Sequence, residues 1–259
     1  MNNGTPVSFD GNSLQTDKII TNDIDHFSGP TKNMPMYGIG HANYSAIPFQ
    51  SWTSKVITLR GTLRGDSIAD LDQLIDTFKT YFINKDRNLD IGYNNGTRRY
   101  ICTPETAQIT RPGGLVVASF IQAFDCTYPF GQDITTSTVL DETGRTLAIY
   151  ADSVIFGGSA PFQQPVFVIT LNSVTDGTNA AINISNNANG QQLTITRTWT
   201  AGDVIEISSQ SRTVNVNGSQ VDFTGAFPEF PPGLQYIGYS DGFSARNFDI
   251  NVSHYPLWA

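Results

Sequence analysis

Asp203, Glu206, Asp222, Glu229, Asp241 and Asp249 are the side chains whose type best suits them to chemistry. Two of them at a controlled separation could hydrolyse a glycoside, one as general acid and the other as base or nucleophile. Their spacing does not distinguish such a pair from solubilising charges on a sheet surface. His26, His41 and His254 stand alone, and no His-x-x-x-His or Cys-x-x-Cys spacing supplies a pair of metal ligands. A serine nucleophile would need a Gly-x-Ser-x-Gly elbow, which is missing. Gly158, Gly177, Gly218 and Gly233 read as turn residues, with neither a P-loop lysine nor a dinucleotide fingerprint near them. Asp72 and Asp76, four positions apart on a helical pattern, repel each other and read as a solvated face. The expectation is a protein without catalytic residues, cofactor or metal.

Contact chemistry is better represented. Arg98 and Arg99 are neighbours on a strand pattern, so they point to opposite faces; one can brace the sheet while the other reaches a partner. Tyr255-Pro-Leu-Trp258 offers an aromatic anchor for a core or an interface. Cys102 and Cys126 form neither a disulfide framework nor a four-thiolate metal set, and the reading is two free, buried thiols. Sequons such as Asn95-Gly-Thr97, Asn183-Ile-Ser185 and Asn217-Gly-Ser219 arise by chance in an Asn/Ser/Thr-rich chain.

The elements that must carry these residues are mostly strands. Residues 55–63 place Val56, Thr58, Arg60 and Thr62 on one face against Ile57, Leu59 and Leu63. A helix follows, with Ser67 as N-cap, Asp70 in its first turn, and an apolar stripe of Ile68, Leu71, Leu74, Ile75, Phe78, Tyr81 and Phe82. Leu89–Tyr93 and Thr97–Cys102 flank an Asn94-Asn-Gly96 turn and predict a hairpin. A further apolar strand covers 115–124. The opening 50 residues, with Pro6–Phe9, Ser28–Pro30, Asn33–Pro35 and Tyr37–Gly40, read as an extended arm.

Pro129 and the polar stretch 131–138 set a boundary near residue 133, giving an α+β domain over 1–133 and a second domain over 134–259. In the second, short strands recur without a helical period, and Asp203–Ile207 with Arg212–Val216 make a hairpin ahead of a Gly/Pro-rich bend. That pattern predicts an antiparallel β-sandwich. The fold class is therefore mainly β, in two domains.

Charge narrows the partners. The chain carries a net −8, divided as −2 over 1–133 and −6 over 134–259, which argues against a nucleic-acid-binding second domain. No run approaches a membrane-spanning length and Met1–Thr5 lacks an export pattern, so cytoplasmic synthesis without membrane insertion is expected.

The order of these features resembles the distal tail protein family of long non-contractile-tailed bacteriophages. The residues that carry the likeness are Ile57-Thr-Leu-Arg-Gly-Thr-Leu-Arg-Gly65, the helix Asp66 to Phe82, Asp125-Cys-Thr-Tyr-Pro-Phe130, Pro165-Val-Phe-Val-Ile169, and the bend Phe227-Pro-Glu-Phe-Pro-Pro-Gly233. The resemblance implies a virion structural protein of the siphophage tail tip or baseplate. Its amino-terminal domain would form a homo-hexameric ring and its carboxy-terminal domain, a galectin-like β-sandwich, would project outward. Implied partners are the tail tube protein, the tail-associated fibre or lysin hub protein and receptor-binding proteins, with DNA passing through the channel without specific binding. The arm at residues 20–50 and the strand before Ser67 fall in the ring-forming region, and the candidate interface residues are Arg60, Arg64, Arg98, Arg99 and Trp258. The alternative function is a carbohydrate-binding tail module contacting the host surface.

Overall fold

The computed structural model describes residues 6–26, 28–29 and 52–259, with the backbone alone of 32–33, 37–38, 45–46 and 51. Most of the expected arm, and His41, therefore lie outside the described residues. The chain divides into two compact units, Met1–Ile134 and Thr135–Trp258.

The first unit is organised by the strands Lys55–Arg64 and Val117–Cys126, antiparallel over their full length. Their register sets Gly61 opposite Phe120. A β-carbon at Gly61 would overlap the Phe120 ring, so this position in the Arg-Gly-Thr-Leu-Arg-Gly run accepts no larger residue without displacing that ring. Ile19–Asp25 pairs with Lys55–Arg64 on the other side and forms the sheet edge. The beginning of the expected arm is thus a sheet strand: its alternation of buried Ile19 and Thr21 with more exposed neighbours is short but real. Arg87–Tyr93 and Gly96–Pro104 form the expected hairpin, with Tyr93 opposite Gly96. The second of these strands meets Val117–Cys126 only at its end, through Thr103 opposite Asp125 and Pro104 opposite Phe124.

Helix α1, Ile68–Thr80, covers this sheet. Ser67 caps it by accepting the Asp70 amide at 3.1 Å, while the Asp70 carboxylate accepts the Asp66 amide at 2.7 Å and an ammonium bond from Lys18 at 2.9 Å. Leu71 and Phe78 are buried; Leu74, Ile75, Tyr81 and Phe82 pack partly against the core, and only Ile68 of the predicted stripe faces water. Phe78 lies 4.7 Å from Phe120 and 4.9 Å from Phe82, and Phe9 lies 5.0 Å from Phe124, centroid to centroid. Tilted and edge-on rings at these distances favour aromatic packing beyond simple area burial.

One expectation fails here. Cys102 and Cys126 are joined in a disulfide rather than free. The register that pairs Thr103 with Asp125 carries one step further to this pair, whose Cα atoms are 4.1 Å apart. Sequence spacing alone did not reveal it, because the pairing depends on a long-range strand register.

The second unit is a sandwich of two antiparallel sheets, as the strand pattern predicts. One is six-stranded, in the order Ser137–Arg145, Ala245–His254, Val166–Thr175, Val204–Ser208, Thr213–Val216, Ser219–Gln220. The other is five-stranded, in the order Ile149–Phe156, Gly233–Asp241, Ala180–Asn186, Gln191–Arg197, Thr224–Gly225. Phe167, Ile169, Leu171, Phe248, Ile250 and Val252 from the first share one core with Ile182, Ile184, Leu193, Ile237 and Tyr239 from the second. The Phe227–Gly233 bend inserts Phe230, which stacks on Phe156 at 4.8 Å.

Two outcomes follow from this packing. Removing the disulfide by Cys102→Ser with Cys126→Ser opens a loop of sequence separation 24, which chain entropy values at roughly 3 kcal/mol; non-reducing and reducing thermal melts of the wild type should differ in the same sense. His254 is 1% exposed, and neither ring nitrogen has a hydrogen-bond partner among the described residues. Burial holds its pKa at about 4, below the ordinary 6.5, so between those values the unfolded chain binds more protons than the folded one. Stability is therefore retained above pH 6.5 and lost as pH falls towards 4, by on the order of 3 kcal/mol. In urea titrations across that window His254→Phe should show a flatter dependence.

Candidate interface surfaces

Four of the six carboxylates that might have formed a hydrolytic pair, Asp203, Glu229, Asp241 and Asp249, are separately engaged in turns and edges. Asp203 accepts the Thr200 amide at 2.9 Å and the Asn217 side chain at 2.8 Å. Asp241 is fully buried, pairs with Arg246 at 3.0 Å and accepts the Phe243 amide at 2.8 Å. Asp249 accepts the Gly144 amide at 2.8 Å, and Glu229 pairs with Arg212. These are bonds that hold loops between strands. Asp222 lines a groove with Ile195, Thr196, Arg197, Thr198, Gln220 and Val221, where it is the sole carboxylate. That groove lacks the second acid that glycoside hydrolysis requires. Among the described residues no cluster of three or more His, Cys, Asp and Glu is arranged to hold a metal, and no helix is long and apolar enough to cross a membrane.

The basic candidates are distributed over the first unit. Arg60 and Arg64 share the exposed face of Lys55–Arg64 because they are four residues apart on a strand. Arg60 pairs with Asp23 on the edge strand at 3.0 Å, with both side chains more than half exposed; solvent screening makes such a pair worth little to stability. Arg99 binds Asp90 through two bonds of 2.8 Å across the hairpin, the bidentate geometry that suits a guanidinium. Arg98, on the opposite face, lies 3.9 Å from the centroid of Tyr93. Trp258 belongs to the two-residue strand Leu257–Trp258 of the second unit and is half-buried. Leu257 ties that strand down: its carbonyl accepts the Ser159 and Ala160 amides at 2.9 and 3.0 Å, and its amide donates to the buried Gln163 side chain at 2.8 Å.

Around Arg98 the structure gathers residues that the strand pattern had not joined. His26 meets the Tyr93 ring edge-on at 5.1 Å, and Lys55 sits 5.3 Å from the Tyr100 centroid. The His26 and Lys55 side chains are both buried, at 6% and 5% exposure. Among the described residues Lys55 has no carboxylate within ion-pair distance. Burial lowers its pKa, Arg98 lowers it further, and Asp25 acts in the opposite sense. Burial is also the first cause of the lowered His26 pKa, with Lys55 and Arg98 adding to it and the bond to the Ile24 carbonyl opposing. One signal for Lys55 was present in the sequence: it shares strand parity with Ile57, Leu59 and Leu63, the inward set.

Residues 158–253 match the family model described as the siphovirus-type tail component, C-terminal domain. The whole chain superposes on the crystal structure of the SPP1 Dit (gp 19.1) protein with a TM-score of 0.70 at 14% identity, covering 99% of this chain and 100% of that one. Chains from the phage p2 baseplate in its activated conformation align more loosely. With Sr the TM-score is 0.44 at 13% identity, covering 96% of this chain and 97% of that one. With Ca it is 0.43 at 13% identity, covering 97% and 91%. No curated protein matches the chain. Residues 158–253 are thus similar to the C-terminal domain of a siphovirus-type tail component, and the fold over the full length is similar to that of SPP1 Dit.

The electrostatics of the first unit give a direct check. In ¹³C NMR of labelled lysines, Lys55 should titrate below the ordinary value of 10.5. Arg98→Ala should move it back up only in part, because burial is the larger cause.

Proposed function

We propose that the chain is the hub of the tail tip, assembling as a homo-hexameric ring that joins the tail tube to the attachment apparatus. The observation that carries this reading is the full-length correspondence with SPP1 Dit, a protein described as a paradigm of hub adsorption apparatus in phages that infect Gram-positive hosts. In this reading residues 1–133 form the ring and 134–259 form the peripheral docking domain. The ring surrounds the channel through which DNA passes without specific binding.

The first unit has features suited to cyclic assembly. Among the described residues its sheet ends in Ile19–Asp25, an edge whose outer backbone groups a neighbouring copy can satisfy. A closed ring lets every copy use that edge without forming an open filament. Arg60 and Arg64 are exposed beside it, and Arg98 lies against Tyr93, so these three are assigned to contacts between copies or with the tail tube. Arg99 supports the hairpin through Asp90, and Trp258 is assigned to the partners of the second unit, the fibre or lysin hub protein and receptor-binding proteins.

Light scattering of the purified full chain, followed by particle imaging, tests the proposal. The expected result is a six-subunit ring with a central hole. Arg60→Glu combined with Arg64→Glu should weaken assembly at least about tenfold and leave the melting temperature of the monomer nearly unchanged. A chain that stays monomeric both alone and with its tail tube protein would overturn the ring.

A further inference from the structure

The outer face of the five-stranded sheet has a composition that the hub role does not explain. Strand parity places the odd-numbered residues of Ile149–Phe156, the even-numbered residues of Gly233–Asp241 and Gln191–Arg197, and the odd-numbered residues of Ala180–Asn186 on that face. None of these is charged, in a chain where 15% of residues are. A solvated sheet face ordinarily carries charges, which keep it soluble and deter association.

The face is graded. Tyr236 is 50% exposed near one end, beside the paired Ile155 and Leu234, while the strands 180–186 and 191–197 contribute amides and hydroxyls. Asn183 organises that half: its carbonyl oxygen accepts from Gln192 at 2.9 Å and Thr194 at 2.7 Å, and its amide nitrogen donates to Ser240 at 3.1 Å. Between the two halves the floor is made of small residues. Ala151, Gly238 and Ser185 lie side by side across three strands. A β-carbon at Gly238 would overlap Ser185 Oγ and Asn187 Oδ1, so glycine is what allows the Asn187 carboxamide to lie over the sheet. Asn187 accepts from Ser185 at 2.8 Å through Oδ1, and its Nδ2 has no partner among the described residues. The Asn187 amide donates to the Tyr236 carbonyl at 3.2 Å, which brings an exposed phenol ring and an available amide together.

We infer that this face is a binding surface for a neutral saccharide, with Tyr236 stacking on the apolar face of a sugar ring and Asn187, Gln192 and their neighbours bonding its hydroxyls. The match is one of charge and shape. A neutral hydroxyl-rich ligand needs amide and hydroxyl partners, an aromatic platform and no fixed charge, whereas an acidic or basic peptide would find no counter-charge here. Small residues in the floor let a ring approach the backbone closely. The flatness of a sheet suits a linear polymer bound weakly at each site, and several copies in one particle would multiply that affinity.

The surface lies within the second unit and does not depend on ring assembly, so the two proposals fail separately. The test uses full-length protein on an array of neutral oligosaccharides of glucose, galactose, N-acetylglucosamine and rhamnose, with polygalacturonate as the acidic comparison. Saturable binding to a neutral glycan is expected. Tyr236→Ala should weaken it about tenfold or more, Tyr236→Phe should retain it, and Asn187→Ala should weaken it without lowering the melting temperature. Absence of binding to every neutral glycan would overturn the inference, as would preference for polygalacturonate or binding that survives Tyr236→Ala. If glycans fail to bind and Tyr236→Ala instead abolishes self-association, the face is a contact between copies and the inference is equally overturned.

Discussion

A β-strand can bury only one of its two faces, and everything else in this protein depends on how each strand's register meets that limit. In the first unit the ten-residue pairing of Lys55–Arg64 with Val117–Cys126 settles it. With that register fixed, Phe120 falls over Gly61, the inward row of Ile57, Leu59 and Leu63 faces helix α1, and Arg60 and Arg64 are left outside. A slip by one residue would turn the apolar row to water and drive two guanidinium groups into the core. The sandwich obeys the same rule twice, since its sheets must present Phe167, Ile169 and Leu171 to Ile182, Ile184 and Leu193.

Most buried polar groups in both units have partners, as Thr21 does with the Leu14 carbonyl in the first. In the sandwich most are engaged: Asp241 with Arg246, Asn186 with the Glu229 carbonyl at 2.8 Å, and Gln163 with Leu257. Each satisfies backbone or charge that would otherwise be stranded where strands change sheet, which is why these residues sit beside turns. Lys55 and His254 depart from this pattern: burial dominates both, Asp25 offsets it only in part at Lys55, and the His254 ring has no hydrogen-bond partner among the described residues. A buried ionisable group that is incompletely compensated lowers stability.

Local signals in the sequence were sufficient for much of the architecture. Ser67 and Asp70 marked the helix start, Asn94-Asn-Gly96 marked the hairpin, and the runs Asp203–Ile207 and Arg212–Val216 marked two strands, observed as Val204–Ser208 and Thr213–Val216, that pair. These features are set by neighbours within a few residues. What stayed hidden depended on registers between distant segments: the Cys102–Cys126 bond, the docking of Ile19–Asp25 onto Lys55–Arg64, and the meeting of His26, Lys55 and Arg98 around two tyrosines. The uncharged sheet face was equally invisible, because its residues come from four strands that become neighbours only after folding.

The fastening of Leu257 has a mechanical meaning. Gly158 and Leu257 form a parallel bridge, and the three hydrogen bonds at 2.8 to 3.0 Å that hold Leu257 lie between segments nearly a hundred residues apart in sequence. A pull on the end of the chain is therefore shared among those bonds at once and passes into the loop that carries Ser159, Ala160 and Gln163, instead of peeling strands away one by one. A clasp that ties the second unit's last strand to a loop near that unit's start keeps such a load from unravelling the sandwich.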